Sequence, residues 1–354
     1  MNCKRWVIGF LGCVVFLMLL GALPTIIVDP YFHFHKPLPQ LNYVMDNQRY
    51  QNDGILKHFS YDAVVTGTSM TENFKTTEVD SLFGTNSVKT PYFGASYKEV
   101  CDSLEKAFQA NPDIRYVIRG IDCNQICNPK DNMSYDDGMF PTYLYDRKVY
   151  NDVYYVLNKQ VLFSDTSRIL AYTNSGIEGT TFDEYSNWHD HYEYGKDVIL
   201  QEHGWGETAK TSRSVTDTDL TMLRENFEQN FIRQAKEHPD VQFYYFFSPY
   251  SIMWWDGNRQ SGEIEWYTTL MEEASRIMTE YDNIHLFSFF EVTDVICELD
   301  YYRDVAHYSG DVNSMMLHWM KDGKYRLTKN NYEKHWENVQ SYYENYDYRS
   351  LFVQ

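Results

Sequence analysis

Residues Val7 to Val28 form an unbroken run of 22 uncharged, mostly apolar residues (VIGFLGCVVFLMLLGALPTIIV) directly after Lys4 and Arg5. A helix rises about 1.5 Å per residue, so this run covers a hydrocarbon core of about 30 Å. A secretory leader has a shorter apolar region, about 7–15 residues, closed by a small-x-small cleavage site. Here no such site directly follows the run. Leu11-Gly12-Cys13 is faintly like a lipobox, yet apolar sequence continues past the cysteine. The pattern predicts an uncleaved, single-pass cell-membrane anchor. Lys4 and Arg5 hold the N-terminus inside, so the C-terminal body is expected outside the cell.

Charge divides at the same point. The whole chain carries −19, and all 50 acidic residues follow the anchor. Without Lys4 and Arg5 the body stands at −21. Such a body repels phosphate backbones, so no nucleic-acid partner is expected. A purely cytosolic enzyme and a multi-span transporter are also excluded. The body holds Cys101, Cys123, Cys127 and Cys297. An oxidising exterior permits disulfides, but the sequence leaves pairing and free thiols both open.

Five stretches read as strands: Tyr61–Ser69, Ser87–Gly94, Ile114–Asp122, Val241–Pro249 and Asn283–Phe290. Most are β-branched or aromatic runs, dense enough for burial on both faces. Helical patterns alternate with them over Ser96–Ala110, Asp217–His238, Gly262–Tyr281 and Gly310–Met320. This alternation predicts an α/β fold, a three-layer α/β/α sandwich with a mostly parallel five-stranded sheet. Between about 125 and 216 the alternation stops, in a stretch rich in Tyr, Asp, Asn and Ser. It reads as an insertion or cap. The expected organisation is a cytoplasmic stub and anchor over 1–28, a juxtamembrane segment over 29–60, and one large domain over 61–354.

Ligands of open parallel sheets bind outside the carboxyl ends of the strands. Those ends hold Gly67-Thr68-Ser69-Met70, Gly94-Ala95-Ser96, Asp122-Cys123-Asn124 and Ser248-Pro249-Tyr250-Ser251. After strand five and a short helix comes Asp304-Val305-Ala306-His307. A hydroxyl nucleophile needs a base within hydrogen-bond reach, and the base needs an orienting partner. Ser69, His307 and Asp304 can supply these roles. Asp-x-x-His recurs at Asp282–His285, but that pair enters strand five at its amino end and reads as structural. Tyr250, Trp254 and Trp255 follow strand four on the active-site side and are candidate sugar-stacking residues. Trp188-His189-Asp190-His191-Tyr192-Glu193, with His203, contains metal-capable groups but lacks the spacing of common zinc sites. It reads as part of a polar cap, and no metal or cofactor is expected. Arg326, Lys329 and Lys334 read as a solvated tail.

The order of these blocks over residues 60–125 and 240–325 resembles the SGNH (GDSL-like) hydrolase superfamily. It looks closest to membrane-anchored members of bacterial surface-polysaccharide systems, the D-alanyl transfer proteins of teichoic acids and the alginate O-acetyltransferases. The resemblance implies Ser69 as nucleophile, His307 as base, Asp304 as third member and Gly94 as an oxyanion-hole N–H. It implies a serine esterase or O-acyltransferase working on acyl groups of a cell-envelope glycan, with a membrane acyl-donor protein as a further partner. Two blocks depart from the pattern. The first is Gly67-Thr68-Ser69-Met70 rather than G-D-S-L. The third is Gly120-Ile121-Asp122-Cys123 where G-x-N-D is the rule. An ionised carboxylate cannot donate a hydrogen bond to an oxyanion. Either Asp122 is protonated, or Asn124 donates instead, or the site is altered. The alternative is therefore a catalytically inactive glycan-binding or assembly protein on the same fold.

Overall fold

The computed structural model describes residues 3–135 and 140–352. Residues 136–139 of the expected insertion lie outside the described residues, as do the first two residues of the stub and the last two of the chain. The chain folds into two compact units. One comprises residues 1–60 with 135–186, and the other residues 61–134 with 187–354. The stretch expected as an insertion is thus divided: its central part belongs with the N-terminal residues, and its two flanks belong to the sheet unit.

In the first unit a single helix runs over Cys3–Val28 and is long and apolar enough to cross a membrane. It ends at Asp29, which adopts φ 48°. The Asp29 carboxylate accepts from the N–H groups of His33 (3.0 Å), Phe34 (2.7 Å) and His35 (3.0 Å). A short polar side chain can satisfy nearby backbone donors in this way, which turns the chain out of the helix.

The second unit contains the sheet, with β1 (Ala63–Thr66), β2 (Ser87–Lys89), β3 (Tyr116–Ile121), β4 (Gln242–Phe247), β5 (Ile284–Ser288) and β6 (Arg326–Leu327). Their order is β2-β1-β3-β4-β5-β6. The first five are mutually parallel, and β6 pairs antiparallel with β5 through Leu286↔Leu327. The sheet is therefore mixed and six-stranded, not five-stranded as the sequence suggested. Two residues are too few to carry a periodic signal. Arg326, expected in a solvated tail, lies in this added strand.

Alternation along β3 and β4 sends side chains to two helical layers. Tyr116, Tyr244 and Phe246 face one side. There Phe83 of helix Thr76–Phe83 stands 5.2 Å from Tyr244, and Phe74 stands 5.7 Å from Phe246. Phe243, Tyr245 and Phe247 face the other side. They meet Phe108, Phe231 and Trp336, from helices Tyr97–Ala110 and Tyr332–Asn345 and from the π-turn Glu228–Ile232. Burial on both faces requires these apolar, alternately directed strands.

Arg119 of β3 is completely buried. It donates to the carbonyls of Asn230 (2.6 Å) and Tyr97 (3.0 Å) and lies over the Phe231 ring at 3.9 Å. Burial lowers its pKa. These bonds fix the start of helix Tyr97–Ala110, which is closed by a capping box between Ser96 and Glu99. The Gly94 turn sits just ahead of that cap.

At the end of β1, Gly67 adopts φ +144°, and a Cβ there would lie 2.8 Å from the Thr71 methyl. Only glycine meets both demands without strain. Gly67→Ala is expected to destabilise the fold by about 2–3 kcal/mol. Urea denaturation of the full chain in detergent checks this, and an unchanged midpoint would refute the steric account.

Candidate active site

The first turn beyond β1 is the 3₁₀ helix Ser69–Thr71, so Ser69 stands at the carboxyl edge of the sheet. Its Oγ lies 2.8 Å from His307 Nε2, across 238 residues of sequence. The other imidazole nitrogen, Nδ1, is 2.8 Å from Asp304 Oδ2 and 3.0 Å from Oδ1. The structure thus brings together the three residues expected as nucleophile, base and orienting acid. Ser69 is mostly buried, while the side chains of His307 and Asp304 are about a quarter exposed (23% and 28%), so the arrangement opens to solvent on their side.

Asp304 also shapes its own loop. Its Oδ1 accepts from the N–H groups of Ala306 (2.9 Å) and His307 (2.8 Å). That is the local turn that an aspartate can make with the backbone two and three residues on. Burial raises the carboxyl pKa, but the hydrogen bond and charge of His307 and the two backbone N–H groups outweigh it. The net result is a pKa lowered to about 2. Arg303 Nε lies 3.3 Å from Asp304 Oδ2 on the same side.

Further bonds pin the two loops to each other. Met70 O accepts from Tyr308 OH (3.3 Å) and Asn313 Nδ2 (3.0 Å). Val305 O accepts from the N–H (3.2 Å) and Oγ (2.7 Å) of Ser251, just beyond β4.

Gly94 occupies the third position of a tight turn closed by Ala95 N–H to Tyr92 O, with φ +62°. Among the described residues, the N–H groups of Ser69, Met70 and Gly94 have no acceptor within the chain. Asp122 stands at the end of β3 as an acceptor. Oδ1 takes Tyr250 OH (2.6 Å) and Asn124 N–H (3.3 Å), and Oδ2 takes Thr68 OH (3.4 Å). Asp122, expected with Asn124 and Gly94 around the oxyanion, thus has donors facing both of its oxygens. Asn124 is exposed, and its Oδ1 is 3.5 Å from Tyr267 OH.

The aromatic trio after β4, expected to contact sugar, is packed in the interior. Trp255 is fully buried and stacks on Tyr343 at 4.1 Å and 5°. Trp254 packs on Tyr250, Tyr267 and Phe290, and Tyr250 spends its hydroxyl on Asp122. The C-terminal helix Tyr332–Asn345 supplies Tyr343 and covers this side, which the composition of the tail did not announce. None of the three offers a free ring face for a sugar.

A different aromatic wall stands beside the base. The Trp188 ring meets His307 edge-on at 5.8 Å, and its indole N–H points to Ser69 O at 3.4 Å. The Arg303 guanidinium lies over both Trp188 (4.3 Å) and Tyr192 (4.0 Å). Sequence reading assigned Trp188–Glu193 to a polar cap and missed this wall. The only available hint was Trp and Tyr among charged residues. Metal-capable groups nearby have other partners: His189 Nδ1 accepts from Gly310 N–H, and His203 pairs with Asp256 at 2.7 Å. Among the described residues no cluster of three or more His, Cys, Asp or Glu could hold a metal. His285, at the amino end of β5, bonds Gln242 at 2.7 Å, and burial with Arg326 nearby pushes it down to about 4. All six cysteines are free thiols, with Cys101 and Cys123 buried.

The second unit is therefore an α/β layered sheet protein with a Ser–His–Asp array at its carboxyl edge. No protein-family model and no curated protein matches the chain. One solved structure, a Streptococcus pneumonia protein provisionally described as a platelet activating factor, aligns with 77% of this chain and 89% of its own. It shares 13% identity, with a TM-score of 0.38.

The lowered Asp304 pKa fixes a direction with pH. A carboxyl depressed in the fold contributes stability above its unfolded value near 3.8, and the contribution is lost as pH falls through about 2. The stability gap between wild type and Asp304→Asn should close as pH falls from about 4 toward about 2. Urea midpoints across that range test it. A gap independent of pH down to 2 would be the contrary result.

Proposed function

We propose that this chain is a membrane-anchored, outward-facing serine esterase or O-acyltransferase of SGNH type, acting on acyl groups of a cell-envelope polysaccharide. The observation that carries this reading is the Ser69–His307–Asp304 relay, with both hydrogen bonds at 2.8 Å. In it His307 Nε2 takes the Ser69 proton as Oγ bonds to the acyl carbonyl carbon. The tetrahedral intermediate collapses by breaking the bond to the donor oxygen, which leaves with the proton from His307. The acyl group is then on Ser69. Water or a sugar hydroxyl attacks it next, giving its proton to His307, and collapse breaks the bond to Ser69 Oγ, which takes that proton back. Asp304 stays ionised and holds the imidazole in the tautomer with its proton on Nδ1.

The N–H groups of Ser69 and Gly94, unengaged among the described residues, would receive the oxyanion, with the exposed Asn124 amide as a third donor. Tyr192, which is exposed, would replace the buried trio as the sugar-contacting aromatic, with Arg303 over its ring and Trp188 buried behind it beside the base. The glycan, and a membrane acyl-donor protein as its supplier, are the partners this reading requires.

The second reading, a non-catalytic glycan-binding or assembly protein, draws on Asp122. It accepts hydrogen bonds where the resembling family places a donor.

A fluorophosphonate probe separates the two. Catalysis predicts covalent labelling of the full chain at one serine, abolished in Ser69→Ala. Labelling should slow by roughly 10²–10⁴-fold in His307→Ala and Asp304→Asn. Folded protein that resists labelling supports the second reading.

A further inference from the structure

We infer that the unit formed by residues 1–60 and 135–186 seats an apolar collar, residues 149–163, in the outer interface of the lipid bilayer beside the membrane-crossing helix. The inference rests on the anchor reading of Cys3–Val28. Four side chains of this short segment are unusually bare: Val149 is 81% exposed, Tyr150 78%, Phe163 70% and Tyr154 66%. Clustered bare apolar groups of this size mark a binding surface rather than ordinary surface composition.

What covers them follows from helix length. Counted from Trp6, the first residue past Lys4 and Arg5, a 30 Å core takes about 20 residues and ends near Thr25, and any tilt carries that edge further along the helix. Ala22, Thr25 and Val28 are the residues of this helix that are buried by protein. The elements packed on the helix within this unit are Val153–Val156, Val161–Asp165 and Thr166–Ser175. They therefore lie at the level where hydrocarbon gives way to headgroups.

Their position is fixed, not incidental. Tyr155 OH donates to Asp29 Oδ1 at 2.8 Å and accepts from Tyr31 N–H at 3.1 Å. Tyr31 OH donates to Asp165 Oδ2 at 2.6 Å. The residue that ends the helix is thus bonded to the collar itself. Tyr150 and Tyr154 are aromatic-belt residues by type, apolar in the ring and polar at the tip. Charge agrees: residues 141–175 hold Arg147, Lys148, Lys159 and Arg168 against Asp146, Asp152 and Asp165, a net positive stretch in a body of −21. Such a stretch tolerates an anionic leaflet that the rest of the body would avoid.

The test uses the full chain in vesicles of phosphatidylcholine and phosphatidylglycerol, three to one. A small share of the lipid carries a diazirine near the glycerol end of an acyl chain. After irradiation, mass spectrometry should find lipid adducts on peptides covering 149–163 as well as on those covering 6–28. Replacing Tyr150, Tyr154 and Phe163 by Asp should cut adducts at 149–163 by roughly fivefold or more and leave those at 6–28 unchanged. Adducts on 6–28 with none on 149–163 overturn the collar while keeping the anchor. Adducts on neither overturn the anchor and the collar with it.

Discussion

The Asp304 carboxylate is the group on which the proposed chemistry depends. It accepts from the Ala306 and His307 N–H groups and from His307 Nδ1. The first two bonds bend the loop so that the third can form. Three residues of separation would otherwise leave the carboxylate and the ring free to diverge. The carboxylate that orients the imidazole also builds the turn that delivers it. This double use explains why its pKa falls despite burial: each donor stabilises the ionised form, and the donors together exceed the desolvation cost.

The sheet supplies the other half of the alignment. Parallel strands end on one edge, so loops far apart in sequence meet there. Ser69 follows β1 and His307 follows β5, and neither loop could hold the other by itself. Tyr308 and Asn313 both donate to Met70 O, and Ser251 holds Val305 O. Rotating either loop breaks several buried bonds together, each costing about 1–3 kcal/mol when left unmade. The 2.8 Å contact between Ser69 and His307 is therefore a property of the whole carboxyl edge.

How much was readable in advance follows from which signals are local. The five long strand patterns, the helices between them and the Gly-x-Ser and Asp-x-x-His placements are periodic or short-range, and they are legible. β6 is not, because Arg326 and Leu327 join the sheet only through pairing with β5. Nor is the fate of Trp255, since the stack with Tyr343 spans 88 residues and depends on a C-terminal helix whose polar face hides its core residues. The Trp188 wall fails for the same reason. An aromatic in a polar stretch looks alike whether it floors a cap or lines a base 119 residues away. The division of the insertion between two units leaves no compositional mark either.

Asp122 is where local rule and environment disagree most usefully. A carboxylate next to a developing oxyanion opposes it, by about 1–3 kcal/mol at an effective dielectric of about 20. Here its lone pairs are turned toward Tyr250, Thr68 and Asn124. Tyr250 is held ready for this by Trp254 and Phe290, so the aromatic cluster first read as a sugar platform instead buries the hydroxyl that tames the aspartate. On the proposed reading, rate must come from alignment of the relay, from backbone N–H groups and from the Asn124 amide, because the Asp122 side chain adds no donor. The relay and the oxyanion donors would serve water and a sugar hydroxyl alike, so on that reading the choice between them rests on what holds the acceptor beside His307.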